Sequence, residues 1–146
     1  MKVDEARNSI FAMVFLLAQR WQVLGDQQLV DDGLTTKQWL LLATLGALPQ
    51  EAPSLNELTA VFGTSRQNVK QLALKLEKRG FLEILNDPAD RRILRFRITT
   101  ANQEFWSRRA AEDSQFIAEL FQGIPEKKLT TTLEVITSLL SHTEEG

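Results

Sequence analysis

Apolar side chains recur at three- and four-residue steps near the start of the chain, which is the spacing of one face of an α-helix. The apolar positions of this stretch are Ile10, Met13, Val14, Leu17, Trp21 and Leu24. They predict an amphipathic helix over about 4–24, which Gly25 is expected to end. A second helix is predicted over 39–48, because the order Thr35-Thr36-Lys37-Gln38 before this apolar stretch matches a capping box.

Two short helices separated by a glycine are predicted in the middle of the chain. Ser54 and Glu57 have the spacing of a second capping box, and the helix that they open is expected to end at Gly63. A further helix is predicted to begin at Thr64-Ser65-Arg66-Gln67. Two short helices joined by a turn of three or four residues form a helix-turn-helix, so the second of them is a candidate for insertion into the major groove of DNA.

From Gly80 the apolar pattern changes to alternation, which predicts two β-strands over 81–86 and 93–98. The turn between them contains Asp87, Pro88 and Asp90. In the second strand, the apolar residues Leu94, Phe96 and Ile98 alternate with Ile93, Arg95 and Arg97. Successive side chains of a strand point to opposite faces, so one face is expected to pack on the helices while the other carries charge. This hairpin is the wing of the predicted structure.

Two more helices are predicted after the hairpin. Thr99 and Thr100 provide a cap for a long helix that is interrupted at Gly123, and a last helix follows from Pro125. The apolar positions of the last helix are Leu129, Leu133, Ile136 and Leu140. This stripe can pack on the first helix or on a second copy of the chain, and the spacing favours neither.

These elements predict a mostly α-helical protein with a small β-hairpin, folded as a single domain over 1–146. A winged helix-turn-helix DNA-binding lobe is expected over about 35–100. The two chain ends, about 4–34 and 101–146, are expected to form a helical dimerisation lobe. The 146 residues and the hydrophobic content of 43% are sufficient for one buried core.

Composition excludes several functional classes. The longest mostly apolar run without a charge, Ser9 to Ala18, is much shorter than the roughly 20 residues that cross a bilayer, and no signal-peptide pattern precedes it. We therefore expect no membrane association and a cytoplasmic location. The chain has no cysteine and only one histidine, His142, and its paired aspartates lie in polar turns. With no phosphate-binding, calcium or zinc motif either, we predict no catalytic residues, no cofactor and no metal site.

The charged residues are strongly segregated. Between Thr64 and Arg109 the sequence has eleven basic and five acidic residues, a net charge of +6, whereas the whole chain has −2 and the remainder therefore −8. A basic surface on an otherwise acidic chain is typical of phosphate binding, because only the contacting face has to attract the polyanion. Two alternatives are an ordinary solvated face and a protein-binding winged helix whose basic face meets an acidic partner.

The second helix of the helix-turn-helix has two different sides. The stripe expected to face the core consists of Val69, Leu72, Ala73 and Leu76. The opposite side mixes side-chain amides, which can bind adenine, with lysines, which can reach guanine or phosphate. Ser65 and Arg66 at the helix start are placed for phosphates. The candidates for base edges are Gln67, Asn68, Lys70 and Gln71, and Lys75 joins them on the same side.

The turn of the hairpin ends in two adjacent arginines, Arg91 and Arg92. An arginine at such a tip can insert into a minor groove narrowed by A·T-rich sequence. Asp90 can restrain Arg92 by a charge-assisted hydrogen bond, although simple turn chemistry also explains an aspartate at this position. Arg95 on the second strand completes the predicted DNA-binding set.

The order and spacing of these segments resemble the MarR family. The resemblance rests on Ser65-Arg66-Gln67-Asn68-Val69, on Leu76-Glu77-Lys78-Arg79-Gly80-Phe81-Leu82, and on Asp87-Pro88-Ala89-Asp90-Arg91-Arg92 with Ile98-Thr99. It implies a dimeric winged-helix transcriptional regulator whose terminal helices form the dimer interface and whose Arg92 enters the minor groove. Ile98 stands where leucine is usual and Asn102 where glycine is common, and both departures are expected to be tolerated structurally.

The predicted function is therefore that of a homodimeric regulator that binds a pseudo-palindromic operator in duplex DNA and represses transcription. The resemblance also implies a pocket for a small apolar or aromatic effector that releases the protein from DNA. Candidate lining residues are Trp21, Trp39 and Trp106. Tryptophans at helical spacing are more often core residues, because burial alone explains them.

Overall fold

The computed structural model describes residues 2–144, and over this part of the chain it contains six α-helices, one short 3₁₀ helix and two β-strands. The helices are α1 (Val3–Leu29), α2 (Thr36–Ala47), α3 (Leu55–Phe62), α4 (Arg66–Lys78), α5 (Thr100–Leu120) and α6 (Glu126–Ser141). The strands are β1 (Leu82–Asn86) and β2 (Leu94–Ile98). The predicted fold class is confirmed. Residue 1 and residues 145–146, which the predicted domain includes, lie outside the described part.

Reciprocal side-chain caps begin two of the helices, as predicted. Before α2, the amide of Gln38 donates to Thr35 Oγ1 at 3.2 Å and the amide of Thr35 donates to Gln38 Oε1 at 3.0 Å. Before α3, Ser54 and Glu57 make the same pair of hydrogen bonds, both at 3.1 Å. Each pair satisfies amides that have no partner within the helix, so the local sequence fixes both helix starts.

Helix α1 is longer than predicted, and Gly25 does not end it. The helix continues to Leu29, with Gly25 buried inside it. The amide of Thr36 donates to Asp26 Oδ1 at 2.7 Å, and the Thr36 hydroxyl donates to the carbonyl oxygen of Gln22 at 3.1 Å. A Cβ atom at position 25 would collide with the Thr36 hydroxyl. The glycine therefore permits the close approach of α1 to the start of α2 and is not a helix stop.

The hydrophobic core lies beneath α4 and the hairpin. On α4, Val69, Ala73 and Leu76 are fully buried and Leu72 packs at the edge of the same cluster, which confirms the predicted stripe. The buried apolar residues of the other segments are Leu29, Leu34, Leu41, Leu42, Leu45, Leu55, Leu58, Phe81, Leu82 and Phe96. The helix-turn-helix and the hairpin therefore share one core.

Both strands of the hairpin contact the helices, and the second strand is also joined to the segment before α3. β1 pairs antiparallel with β2 along its whole length. Phe96 is fully buried, whereas Arg95 and Arg97 are partly exposed, which confirms the predicted alternation. The amide of Phe96 donates to the carbonyl oxygen of Pro53 at 3.0 Å, so β2 is joined to the segment that precedes α3.

The chain divides into two compact units, one ending at Arg108 and the other beginning at Arg109, within α5. The second unit contains the rest of α5 and all of α6. The lobe boundaries predicted from the sequence, 35–100 for one lobe and 4–34 with 101–146 for the other, remain a prediction. None of the described helices combines the length and the apolar character needed to cross a membrane.

Candidate nucleic-acid interface

The turn that leads into α4 has the geometry of a helix-turn-helix. Gly63 has a φ of 82°, in the left-handed region that favours glycine, and its amide donates to the carbonyl oxygen of Thr59 at 3.0 Å. These features close α3. Ser65 then caps α4, since its Oγ accepts a hydrogen bond from the amide of Asn68 at 3.1 Å. The turn between the two helices is therefore three residues long.

The outer face of α4 carries the DNA-binding residues predicted for this helix. The exposed side chains on the helix and at its cap include Ser65, Arg66, Gln67, Asn68, Lys70, Gln71 and Lys75. Because the other side of α4 is buried in the core, these side chains share the solvent-facing surface of one helix. The structure thus brings all seven together, and their contact with DNA stays a prediction.

The exposed face of α4 has no carboxylate, because the single acidic residue of the helix is bound to the hairpin. Glu77 is half-buried, and its Oε2 accepts a hydrogen bond from the amide of Ile84 at 3.0 Å. Lys70, Lys75 and Lys78 remain exposed. A phosphate that approaches α4 therefore meets cations and amides without repulsion from a side chain of the same helix.

A groove of about 400 Å³ lies beside α4. Its lining residues are Lys37, Leu40, Phe62, Thr64, Asn68, Gln71, Leu72 and Lys75. Lys37 is not among the DNA-binding residues predicted from the sequence. It reaches the groove because the start of α2 packs near α4. The groove combines two ammonium groups with an apolar wall, so it extends the basic surface of α4 toward α2.

At the wing tip, Asp90 binds Arg92 as predicted. Nε and Nη2 of Arg92 donate to the two carboxylate oxygens of Asp90 at 3.0 and 2.9 Å, and the Arg92 amide donates to Oδ1 at 3.1 Å. The side-chain hydrogen bonds of Arg92 hold the pKa of Asp90 below its ordinary value, and they raise the pKa of Arg92. The Arg92 side chain is still 90% exposed. Its insertion into a minor groove stays a prediction.

The turn before the tip is organised by Asp87. Its Oδ2 accepts hydrogen bonds from the amides of Ala89 and Asp90, both at 2.9 Å. Asn86 Nδ2 donates to the carbonyl oxygen of Arg91 at 2.7 Å, and the Arg91 side chain is exposed. The Asp87 carboxylate as acceptor and the Asn86 amide as donor thus satisfy backbone groups of the turn and define its shape.

Arg95 differs from Arg92 because its guanidinium joins the wing turn to a segment outside the wing. Nε donates to Asp87 Oδ1 at 2.5 Å, and Nη1 donates to the carbonyl oxygen of Ala52 at 3.0 Å and lies 3.8 Å from Glu57 Oε1. The hydrogen bond from Arg95 is the main cause that lowers the pKa of Asp87. The pKa of Glu57 is lowered mainly by the amide of Ser54 and to a smaller extent by Arg95. A direct contact of Arg95 with DNA stays a prediction.

The three tryptophans of the predicted effector pocket lie on three different helices. Trp106 on α5 makes an edge-to-face contact with Phe105, and its Nε1 donates to Asn102 Oδ1 at 3.0 Å. Trp21 on α1 is half-buried, and Trp39 on α2 is 40% exposed. The groove beside α4 is lined by none of the three. Trp106 packs against the core, and an effector role for the tryptophans stays a prediction.

Arg79 has a structural role that the sequence does not reveal. Its Nη1 and Nη2 donate to the carbonyl oxygens of Gly33 and Asp32 at 2.9 and 2.6 Å, and its guanidinium lies 5.4 Å from the centre of the Phe81 ring. Arg79 therefore joins the end of α4 to the turn after α1. Its two carbonyl partners are 46 and 47 residues away in the chain, so no local motif marks these contacts.

Comparison with known families gives a match to the MarR family over residues 32–93, from the turn before α2 to the end of the wing tip. The transcriptional activatory protein BadR of Rhodopseudomonas palustris is 26% identical over 94% of this chain and 80% of its own length. The transcriptional repressor MprA of Escherichia coli K12 is 24% identical over 82% of this chain and 68% of its own length. These relatives are regulators of transcription and not enzymes, in agreement with the predicted absence of catalysis.

Solved structures show the same fold. A MarR family transcriptional regulator from Rhodococcus matches with a TM-score of 0.81 and 19% identity, over 95% of this chain and 97% of its own. A structure that concerns the regulation of DNA binding of Bordetella bronchiseptica BpsR by 6-hydroxynicotinic acid matches with a TM-score of 0.73 and 21% identity, over 89% of this chain and 91% of its own. With the family match across the helix-turn-helix and the wing tip, they show that this chain is similar to the MarR family in sequence over residues 32–93 and has the fold of its solved members over nearly its whole length. The family match and the two relatives named above support a DNA-binding transcriptional regulator.

Proposed function

We propose that the protein binds a specific operator in duplex DNA as a homodimer in the cytoplasm, with α4 in the major groove and the wing tip at the adjacent minor groove. The observation that carries this proposal is the exposed face of α4, where amides and ammonium groups stand together without a carboxylate. Such a face suits a groove whose base edges offer donors and acceptors and whose rims are phosphates.

In this proposal the helix selects the sequence and the wing reads the shape of the groove. The residues that contact base edges are Gln67, Asn68, Lys70 and Gln71. Ser65 and Arg66 bind a phosphate at the start of α4, where free amides and the helix dipole favour an anion. Lys75 and Arg91 contact phosphates further from the centre, and Arg92 enters the minor groove.

Dimerisation is proposed from the apolar side chains that the single chain leaves exposed on its terminal helices. On α1 they include Ile10, Phe11, Met13, Val14, Phe15, Leu16 and Leu17. On α6 they include Leu133, Val135, Ile136, Leu139 and Leu140. Monomeric proteins in water rarely expose apolar surface on this scale, and a second copy of the chain related by a two-fold axis can cover such a helix face. Two α4 helices related by such an axis require a pseudo-palindromic operator.

We also propose that binding represses transcription and that a small apolar or aromatic molecule releases the protein. Repression needs only occupancy of the operator, whereas activation needs a further contact with the transcription machinery. The name of MprA supports repression, and the name of BadR supports activation. The regulation of BpsR by 6-hydroxynicotinic acid supports a small effector.

Sequencing the DNA that copurifies with the protein tests the first part of this proposal, because an operator should appear as an enriched, nearly palindromic sequence. That sequence is then placed before a reporter gene, where the protein is expected to lower expression. Higher expression would show activation instead. Small aromatic acids are added to the protein–DNA complex to test release, and tryptophan fluorescence follows their binding. Absence of any enriched sequence would contradict operator binding.

A further inference from the structure

The guanidinium of Arg95 connects the wing turn to the segment in front of α3. It bridges Asp87 in the turn and the carbonyl oxygen of Ala52, at 2.5 and 3.0 Å, and it approaches Glu57 in the first turn of α3. The backbone reinforces this junction, because Ser54 forms an isolated β-bridge with Arg95. Arg95 thus joins the wing turn to the segment in front of α3, in addition to the shared core and the hydrogen bond between Glu77 and Ile84 that hold the strands on the helices.

From Arg95 the contacts continue to the wing tip. The carboxylate that receives Arg95 Nε is that of Asp87, whose other oxygen accepts the amides of Ala89 and Asp90. Asp90 in turn holds the guanidinium of Arg92. A continuous series of hydrogen bonds therefore runs from the helical body through Arg95 to the arginine that is proposed to enter the minor groove.

The neighbouring arginine of the same strand face is arranged differently. Nη2 of Arg97 donates to Glu83 Oε2 at 2.7 Å, and these two residues are cross-strand partners within the hairpin. This ion pair strengthens the hairpin without linking it to the helices. Arg97 is therefore a matched control for Arg95, with the same side chain, the same strand and an ion pair of its own.

We propose that Arg95 is a positioning residue, which fixes the wing against the helix-turn-helix so that Arg92 is presented at a set place relative to α4. This inference rests on the proposed function. A two-stranded hairpin is marginally stable alone, so a mobile wing would lose conformational freedom on binding DNA. Arg95 reduces this freedom at the wing turn beforehand, and its Nε and Nη1 donate to the protein and not to phosphate.

A double-mutant cycle on operator affinity tests the proposal. Arg92→Ala and Arg95→Ala are each expected to weaken binding by roughly tenfold or more, and the double variant is expected to bind no more weakly than Arg92→Ala alone, because coupled residues are not additive. Arg97→Ala should bind nearly as wild type. Losses that multiply in the double variant would show that Arg95 contacts DNA itself and would overturn the proposal.

The conservative variant Arg95→Lys distinguishes the proposed positioning role of Arg95 from a simple effect of its positive charge. Lysine keeps the positive charge but lacks the planar fork that reaches Asp87 and Ala52 together, so it is expected to bind DNA as weakly as Arg95→Ala. Full rescue by lysine would indicate a simple phosphate contact and would contradict the positioning role.

A measurement without DNA keeps this test independent of the proposed function. Exchange of the Ala89 and Asp90 amides, followed by NMR, should accelerate in Arg95→Ala, while core amides such as that of Leu76 and the wing amides of Arg97→Ala stay protected as in wild type. Unchanged exchange at the turn would overturn the positioning role. If wild type prefers no duplex, the proposed function fails, whereas the exchange result still decides whether Arg95 orders the wing.

Discussion

The guanidinium of Arg92 is held by the carboxylate of Asp90 through two hydrogen bonds, although nearly all of the Arg92 side chain lies in solvent. A long charged side chain loses rotamer freedom when it binds a partner. Asp90 has restricted part of that freedom before DNA arrives, which lowers the entropy lost on binding. An exposed, pre-ordered side chain of this kind contributes to DNA affinity and is not part of the hydrophobic core. Its mutation is therefore expected to change the affinity for DNA without changing the stability of the fold.

Arg92→Ala is expected to weaken operator binding by roughly tenfold or more, comparable to the loss of one charge-assisted hydrogen bond, and to leave the melting temperature unchanged. Fluorescence polarisation measures the affinity and circular dichroism the unfolding. Arg7→Ala is the control, because Arg7 is also exposed and pairs with Asp4 at 3.2 Å, but on α1. Wild-type affinity in Arg92→Ala would refute the role of the wing tip.

Gln71→Ala is expected to change the preferred base at one position of each half-site, at a cost of roughly 1–3 kcal/mol if the amide makes two hydrogen bonds to adenine. Binding to a set of operators with single base changes measures this preference. Gln115→Ala on α5, where the amide donates to Glu119 at 3.0 Å, should not alter it. An equal loss on every sequence would reassign Gln71 to a phosphate contact.

Gly25→Ala is expected to lower the free energy of unfolding by roughly 1–3 kcal/mol, because the added methyl group would meet the Thr36 hydroxyl. Gly46→Ala provides the contrast. A Cβ there would lie 3.7 Å from Ile98 Cδ1, an ordinary contact, so the higher helix propensity of alanine should stabilise the protein by up to about 1 kcal/mol. Urea unfolding compares both variants with wild type, and a neutral Gly25→Ala would disprove the close approach of α1 and α2.

The proposed dimer is expected to sediment at twice the 16.6 kDa of the chain. Phe11 on α1 is 70% exposed in the single chain, and Phe11→Arg should place a charge in the interface and produce monomers. Val61→Arg is the matched control, because Val61 is an apolar residue of α3 with 58% exposure outside the terminal helices. Sedimentation velocity distinguishes the species, and a monomeric wild type would contradict the dimer.

The parts of the fold that were predicted correctly depend on neighbours in sequence. The capping boxes of Ser54 and Thr35 join residues three positions apart, and the alternation around Phe96 follows from the two-residue period of a strand. The link between Asp90 and Arg92 spans two residues. Each of these features is therefore determined by residues within a short stretch of sequence.

The features that were missed depend on contacts between distant segments. Gly25 resembles a helix stop until Thr36 is known to pack against it. Arg95 has the pattern of an outward-facing strand residue, and only the fold brings Ala52 to its guanidinium, 43 residues away in the chain. Lys37 joins the basic surface for the same reason, because the packing of α2 near α4 places it there.

The most direct test of operator recognition is the affinity of the protein for its copurified operator and for a scrambled duplex of the same length and composition, at one fixed salt concentration. Specific readout by α4 predicts tighter binding to the operator by roughly a thousandfold or more. Equal affinities for the two duplexes would contradict operator recognition. Equal and weak affinities, together with tight binding to an acidic protein, would favour a protein-interaction module instead.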